Sequence, residues 1–204
     1  MNRLLVEDLS KRFGPRKLFA HLNFELATGE SLAVVGPNGA GKTTLLMTLL
    51  GLQRPTGGRV HYLEGNESLS DVDRRLGVAL VAPYLQLYDQ LTGEENLKFL
   101  VSVSGAAVTG KRINEILDRV GLAGRGGDPT GAYSSGMKQR LKYAVALSCR
   151  PSYLFLDEPW ANLDADGRQR VSDLIGQVRS ETVLVVATSD AEEAGLASEQ
   201  LRLG

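Results

Sequence analysis

The chain has 204 residues, of which 43% are hydrophobic and 23% are charged, as in ordinary globular proteins. Its formal net charge of −1 provides no basic field that would attract nucleic acid. The single cysteine, Cys149, excludes an intrachain disulfide, and no apolar run approaches the roughly 18 residues of a membrane-spanning helix. We therefore predict one globular domain that is long enough to bury a hydrophobic core.

The first part of the chain, residues 1–60, is predicted to be rich in strands. Short β-prone runs lie at residues 3–6, 24–26 and 31–35, separated by Gly and Pro. The run at 31–35 is nearly all apolar and is followed by a glycine-rich turn and a helix-compatible segment, 44–50. This order is typical of a buried parallel strand that leads into a helix, which is the first unit of an α/β sheet.

The middle of the chain is predicted to be helical. Thr92 and Glu95 form a capping-box pattern that marks the start of one helix. Apolar residues then recur at helical spacing over 113–120 and stop at Gly121, which indicates a short amphipathic helix. Residues 124–131 are predicted to form a flexible loop, because they are rich in glycine.

The last part of the chain returns to the α/β pattern. Residues 154–156 and 183–187 are apolar and β-prone, and both are predicted to be strands. Between them, the polar stretch 166–179 is compatible with a helix. The fold class predicted from these elements is α/β, with a helical segment inserted into the sheet domain.

A glycine-rich loop follows the predicted strand 31–35 and fits the pattern G-x-x-x-x-G-K-[ST]. Backbone N–H groups of such a loop point at phosphate oxygens, and the following helix N-terminus adds partial positive charge. Lys42 would reach the β- and γ-phosphates, and the Thr43 hydroxyl would face Mg²⁺. We therefore predict that the loop and the next residue bind ATP with Mg²⁺, through Gly36, Pro37, Asn38, Gly39, Ala40, Gly41, Lys42, Thr43 and Thr44.

Two adjacent carboxylates, Asp157 and Glu158, end the predicted strand 154–156. Strand ends in open α/β sheets face the ligand crevice, so both side chains are candidates for the same site as the glycine-rich loop. Asp157 would hold Mg²⁺, and Glu158 would act as the catalytic group that polarises the attacking water. Without the loop, such a pair is more often a solvated strand end.

With these motifs in this order, the chain resembles the ATP-binding-cassette (ABC) ATPases over nearly its whole length. The resemblance also rests on Phe13, on the sequence from Ser134 through Ser135 and Gly136, and on Asp164. It implies a P-loop NTPase with a RecA-like parallel sheet core, an N-terminal antiparallel β subdomain and an inserted helical subdomain. In this single domain, residues 1–84 and 150–204 would form the core with the β subdomain, and 85–149 the helical subdomain.

The same resemblance implies roles for residues outside the phosphate loop. Phe13 would stack on adenine, and Ser134, Ser135 and Gly136 would complete the ATP site of a second copy in a head-to-tail homodimer. Asp164 lies in the segment that would link the two sites. The expected partner is a transmembrane permease subunit, with no nucleic acid, and the expected location is cytoplasmic, on the inner face of the cell membrane through that partner.

Two positions depart from the family pattern. Ser189 stands where the family has a histidine after the strand 183–187, and a hydroxyl cannot carry the charge of an imidazole. We therefore expect slower hydrolysis. The glutamine that senses Mg²⁺ in the family is replaced near Pro83 and Tyr84, and Gln86 is the candidate metal residue in its place.

The sequence leaves three alternatives to a transporter ATPase open. One is a soluble ABC ATPase that acts on nucleic acid or ribosomes, and the second is a module that binds nucleotide and gates without useful hydrolysis. An unrelated phosphate-loop kinase is the third, although kinases do not need the sequence at 134–140. Within the ABC family, the residues around 87–97 and the short C-terminal part resemble the ATP-binding subunits of haem exporters.

Overall fold

The computed structural model describes all 204 residues, and its nine strands form two sheets. An antiparallel sheet has the strand order β2-β1-β4-β5, and a parallel sheet has the order β6-β7-β8-β3-β9. The strands are β1 (Asn2–Phe13), β2 (Arg16–Ala27), β3 (Ser31–Val35), β4 (Gly57–Glu64), β5 (Glu67–Ser68), β6 (Val78–Val81), β7 (Tyr153–Asp157), β8 (Val183–Thr188) and β9 (Glu199–Arg202). The helices are α1 (Lys42–Leu49), α2 (Asp71–Gly77), α3 (Gly93–Val103), α4 (Gly110–Arg119), α5 (Ser135–Ser148), α6 (Ala165–Val178) and α7 (Ala191–Ala194).

The antiparallel sheet is built around a long hairpin of β1 and β2. Both strands extend well beyond the predicted runs at 3–6 and 24–26, because one face of an antiparallel sheet can stay in water and carry polar residues. The hairpin turns at Gly14, which has a φ of 54° in the left-handed region that glycine adopts without strain. This turn leaves Phe13 half exposed at the end of β1.

The parallel sheet separates two hydrophobic cores. Successive side chains of a strand point to opposite faces, so Tyr153 and Phe155 of β7 join one core while Leu154 and Leu156 join the other. The first core holds α1 and the inner face of the antiparallel sheet, and the second holds α3 to α6. Because both faces are covered, β3, β7 and β8 are almost wholly apolar, as their sequences predict.

The predicted helical segment contains α3, α4 and α5. The capping box is present at the start of α3, where the Thr92 hydroxyl accepts the Glu95 N–H and the Glu95 carboxylate accepts the Thr92 N–H. The amphipathic helix predicted near 113–120 is α4, and it buries Ile113, Ile116 and Leu117. These helices share one continuous core with the sheet, so the segment is packed onto the sheet rather than around a core of its own.

Several short elements have no clear signal in the sequence. The strand β4 begins with two glycines, β6 has only four residues, and β9 is a polar edge strand. Tertiary pairing makes these segments strands, because each lies beside a strand that needs backbone hydrogen bonds. None of the seven α-helices is both long enough and apolar enough to cross a lipid bilayer.

Candidate functional site

The candidate site lies at the carboxyl edge of the parallel sheet, where three neighbouring strands end together. Val35 of β3 is in register with Thr188 of β8, and Asp157 of β7 is in register with Ala187. The glycine-rich loop, the acidic pair and the Ser189 turn therefore leave the sheet at one edge. The separate motifs thus meet at one edge of the sheet, where ligands bind in open α/β sheets.

The phosphate loop wraps around the start of α1. Gly41, directly before the helix, has a φ of 104°, which an L-residue with a side chain rarely adopts. The Lys42 ammonium donates to the carbonyl oxygens of Gly36 at 2.9 Å and Pro37 at 3.1 Å, so its charge lies inside the loop. Lys42 is only 6% exposed, which concentrates positive charge where backbone N–H groups also point.

Thr43 and Asp157 are in direct contact across the loop and the end of β7. The Thr43 hydroxyl donates to Asp157 Oδ2 at 2.7 Å, whereas Asp157 Oδ1 is buried without a hydrogen-bond partner. Burial raises the pKa of Asp157, and the charge of Glu158 raises it further, although the Thr43 hydrogen bond acts in the opposite direction. A buried carboxylate with one free oxygen beside a hydroxyl is an oxygen donor set that suits Mg²⁺.

Glu158 follows Asp157 but faces a different space. Its backbone has a φ of 46°, and its N–H donates to the Ala187 carbonyl oxygen at 2.9 Å. This turn takes the exposed Glu158 side chain to the wall of an open pocket of about 430 Å³. Residues lining the pocket come from the β1–β2 hairpin, the phosphate loop and β7: Phe13, Arg16, Leu18, Asn38, Gly39, Gly41, Lys42, Thr43, Thr44 and Glu158.

The pocket contains one charged residue that the sequence motifs did not indicate, Arg16. Its guanidinium donates to the Gly39 carbonyl oxygen at 3.0 Å, which ties the hairpin to the phosphate loop. Phe13, predicted to stack on adenine, lies in the same pocket with its ring 49% exposed. An arginine three residues after an aromatic residue in a hairpin forms no recognised motif, so only the tertiary structure identifies Arg16.

The start of α5 lies outside this pocket. Ser134 caps the helix by accepting the Met137 N–H at 3.2 Å, and both Ser134 and Ser135 are exposed. Gly136 packs so closely that an added Cβ would lie 2.9 Å from the Asn162 carbonyl oxygen. Asp164 is likewise outside the pocket and caps α6 by accepting the Gly167 N–H at 2.8 Å. Within one chain, these residues do not meet the phosphate loop.

Gln86, the candidate for the missing glutamine of the family pattern, does not approach the site. The Gln86 side chain donates to the Tyr84 carbonyl oxygen at 3.5 Å and lines an apolar groove on the helical side. The assignment of Gln86 to the metal site is therefore wrong, because the chain after β6 carries Gln86 to the helical side of the molecule. Tyr84 instead lies beside Asp157, and the pKa of Tyr84 is raised by burial and then by the Asp157 charge.

Ser189 directly follows β8 and is exposed at the same edge. It lies one residue beyond Thr188, which is paired in register with the last residue of β3, immediately before the phosphate loop. The structure thus places a hydroxyl at the edge where the resemblance expects an imidazole. One other carboxylate in this region, Glu193, is buried close by and carried no motif signal in the sequence.

Comparison with known proteins agrees with this geometry. A family described as "ABC transporter" matches residues 19–161. An uncharacterized ABC transporter ATP-binding protein, YxlF of Bacillus subtilis, is 36% identical over 97% of this chain and 66% of its own length. The daunorubicin resistance ATP-binding protein DrrA3 of Streptomyces coeruleorubidus is 35% identical over 97% of this chain and 64% of its own. The chain thus spans about two thirds of these relatives.

A third relative and a solved structure are also similar to this chain. The lantibiotic transport ATP-binding protein SrtF of Streptococcus pyogenes is 34% identical over 91% of this chain and 79% of its own. The structure of cbiO1 from Clostridium perfringens has a TM-score of 0.79 at 26% identity, covering 98% of this chain and 84% of that one. Both the sequence match and the fold lead to one conclusion: the chain belongs to the ABC transporter family.

Proposed function

We propose that the chain binds MgATP and hydrolyses it. The observation that carries the proposal is the convergence of Lys42, Thr43, Asp157 and Glu158 at one edge of the sheet, although Lys42 and Glu158 lie far apart in the sequence. The relatives are named as ATP-binding proteins, which supports the choice of nucleotide. Catalysis of phosphoryl transfer by such a site depends on positioning and electrostatics rather than on covalent chemistry.

Each side chain has a defined task in this mechanism. Lys42 and the N–H groups of the loop bind the β- and γ-phosphates, and Phe13 contacts the base. Mg²⁺, when bound beside Thr43 and Asp157, would neutralise charge on the phosphate oxygens. Glu158 accepts a hydrogen bond from the attacking water and orients it. Ser189 donates a hydrogen bond to the γ-phosphate where the family uses a charged imidazole.

The exposed start of α5 supports a second copy of the chain as partner. Ser134, Ser135 and Gly136 present backbone N–H groups and a helix dipole to solvent, which favours an anion. We propose that they contact the nucleotide held by the other copy, so that two chains enclose two ATP molecules head to tail. Asn162 and Leu163, in the loop before α6, lie next to Gly136. Asp164 follows them as the cap of α6, and we propose that it forms part of the same contact.

A groove beside Tyr84 supports a membrane partner. It has a volume of about 240 Å³ and is lined mostly by apolar side chains, including Leu85, Leu87 and Leu100. Next to it, Tyr88 and Phe99 form an exposed edge-to-face pair with ring centroids 5.2 Å apart. Exposed apolar surface of this kind indicates a protein contact. We propose that a transmembrane permease subunit binds here and holds the chain at the inner face of the cell membrane.

The cargo proposal follows the resemblance of residues 87–97 to haem-export subunits. The relatives named above concern daunorubicin resistance and lantibiotic transport rather than haem, so haem is proposed from the resemblance alone. Because cargo is recognised by the membrane subunit, co-purification from membranes is the direct test. Recovery of a multi-spanning protein supports the transporter function, whereas recovery of ribosomes alone contradicts it.

Steady-state ATP hydrolysis with Mg²⁺ tests the enzymatic proposal. Lys42→Ala and Glu158→Gln should each lower the rate by at least about 100-fold, the usual loss when a phosphate-binding cation or a general base is removed. Lys98→Ala is the matched control, because Lys98 is exposed and pairs only with Glu94 at 2.8 Å on α3. Ser189 favours one rival, a module that binds ATP without useful hydrolysis. Absence of turnover with the membrane partner present would establish that rival.

A further inference from the structure

Glu193 is a buried carboxylate that none of the sequence motifs includes. It lies in α7, is 6% exposed, and forms no ion pair with a lysine or arginine. Instead, its Oε1 accepts the Trp160 N–H at 2.8 Å, and its Oε2 accepts the hydroxyl of Thr188. Burying an unpaired carboxylate costs free energy, and these two hydrogen bonds are what offset that cost.

The two hydrogen bonds join two loops at the candidate site. Trp160 lies two residues after Glu158, and Thr188 is directly before Ser189. The Thr188 hydroxyl also accepts the Asp190 N–H at 2.9 Å, so the turn around Ser189 is held by the same group. Through one carboxylate, the loop that carries Glu158 and the turn that carries Ser189 are fixed relative to each other.

The loop after Glu158 is also held from the opposite side by α5. Tyr143 is fully buried, and its hydroxyl donates to the Pro159 carbonyl oxygen at 3.0 Å. Pro159 and Trp160 are adjacent, so their carbonyl and N–H groups are bound by two different helices. Tyr143 belongs to the helix that begins at Ser135, so the exposed start of α5 is mechanically connected to this loop.

The backbone at Glu158 requires such support. A φ of 46° is uncommon for a residue other than glycine, and strained conformations of this kind persist only where the surroundings fix them. The Glu158 N–H bond to Ala187 supports one end of the turn, and the Ala161 N–H donates to the Glu158 carbonyl oxygen at 3.0 Å. Tyr143 and Glu193 bind Pro159 and Trp160, which lie between Glu158 and Ala161. These contacts therefore fix the part of the loop that the two backbone bonds do not hold.

We propose that Glu193 is a positioning residue for Glu158: it clamps the loop at residues 158–160 to the turn at 188–190, while Tyr143 links that loop to α5. The proposal rests on the proposed function, since Glu158 is the group that orients water. A carboxylate is suited to this position because it offers acceptors only, and both partners are donors. Glutamine keeps one acceptor and the shape of the side chain, whereas alanine keeps neither.

The kinetic test compares Glu193→Ala with Glu193→Gln. We expect Glu193→Ala to lower kcat for ATP about 30-fold while the Kd for MgATP stays within about 3-fold, because the phosphate loop is untouched. Glu193→Gln should recover kcat to within about 5-fold of the parent. Glu192→Gln is the control, since Glu192 is exposed on the same short helix, and it should match the parent. Equal losses of kcat and of nucleotide affinity in Glu193→Ala would overturn the proposal, and so would an unchanged kcat.

A second measurement does not depend on hydrolysis. Trp160 is the only tryptophan of the chain, and its indole Nε1 is buried without a hydrogen-bond partner, so its emission reports the surroundings of the loop. We expect a shifted emission maximum for Glu193→Ala and a parent-like maximum for Glu192→Gln. If the parent hydrolyses no ATP but Glu193→Ala still shifts the emission maximum, Glu193 does fix the loop and the proposed function is wrong. An unshifted emission contradicts the clamp whatever the activity.

Tyr143→Phe keeps the test informative if Glu193→Ala does not fold. This variant removes only a hydroxyl, and it should lower kcat about 5-fold, the effect expected for one hydrogen bond of about 1 kcal/mol. In the double variant with Glu193→Gln, the two losses should not be additive, because both residues hold the same two-residue segment. Additive losses would show that Glu193 and Tyr143 act on independent parts of the structure and would overturn the link to α5.

Discussion

Two helix starts in this chain have similar local chemistry and different surroundings. The N-termini of α1 and α5 both follow small residues, and both present backbone N–H groups that favour an anion. At α1, the buried Lys42 and the Glu158 carboxylate line a pocket within the chain. At α5, Ser134 and Ser135 are exposed, and Gly136 packs against the carbonyl of Asn162. In the proposed function, the first helix start binds phosphate within its own chain, and the second contacts the nucleotide held by a second copy.

The largest effect expected from this comparison is that of Ser135→Asp. The added carboxylate lies at the start of α5, where it should repel the γ-phosphate held by a second copy and lower ATP hydrolysis about 100-fold. The helix should keep its structure, because an acid in the first turn is favourable by about 0.3–1 kcal/mol. ATP affinity of the separate chain should not change. Isothermal titration and a rate assay test both statements, with Ser135→Ala as control; weaker binding by the monomer would refute the assignment.

A smaller gain in rate is expected for Ser189→His. An imidazolium donates a charge-assisted hydrogen bond that is about twice as strong as that of a neutral hydroxyl. A difference of about 1.4 kcal/mol corresponds to roughly tenfold in kcat. Ser189 lies at the same edge of the sheet as the phosphate loop. The gain in rate should therefore require Lys42, which holds the phosphate there. Turnover measured at saturating ATP tests this expectation, and an unchanged rate would show that the hydroxyl does not limit hydrolysis.

Tyr84→Phe should change the dependence on Mg²⁺ by roughly 3- to 5-fold. The variant removes the Tyr84 hydroxyl beside Asp157, and polar neighbours of a metal-binding carboxylate help to orient it. We expect a higher Mg²⁺ concentration for half-maximal hydrolysis, while nucleotide binding in the presence of EDTA stays the same. Gln86→Ala is the matched control, since Gln86 lies in the apolar groove. Equal effects of the two variants would show that Tyr84 has no special relation to the metal site.

The smallest expected effect is a gain in stability from Asp157→Asn. Burial raises the pKa of Asp157 above its unfolded value, so its ionisation opposes folding, and stability falls as the pH rises from the ordinary range to the raised pKa. Above that range, the asparagine variant should melt roughly 2–4 °C higher, as expected for about 1 kcal/mol in a chain of this size. The gain should disappear at low pH, where Asp157 is protonated. Thermal unfolding without nucleotide at two pH values measures it.

Much of the fold was predictable because periodicity and apolar runs are local. The strand β3 was predicted at its observed bounds, and β7, β8, α3, α4 and α6 were predicted close to theirs. The strands β4, β6 and β9 were not predicted, since they are short or polar and depend on pairing with neighbours. The sharing of one core by the helical segment and the sheet was likewise beyond the sequence, because it depends on which faces meet.

For the site, the sequence by itself determined the residue types and their spacing in the phosphate loop and the acidic pair. These motifs carry their own geometry, because a tight glycine turn after a strand and before a helix has few conformations. The tertiary structure decided that Tyr84 rather than Gln86 lies beside Asp157, that Arg16 braces the loop, and that Glu193 joins two loops. Such contacts join distant parts of the chain, and they depend on register, burial and packing, which no local pattern specifies.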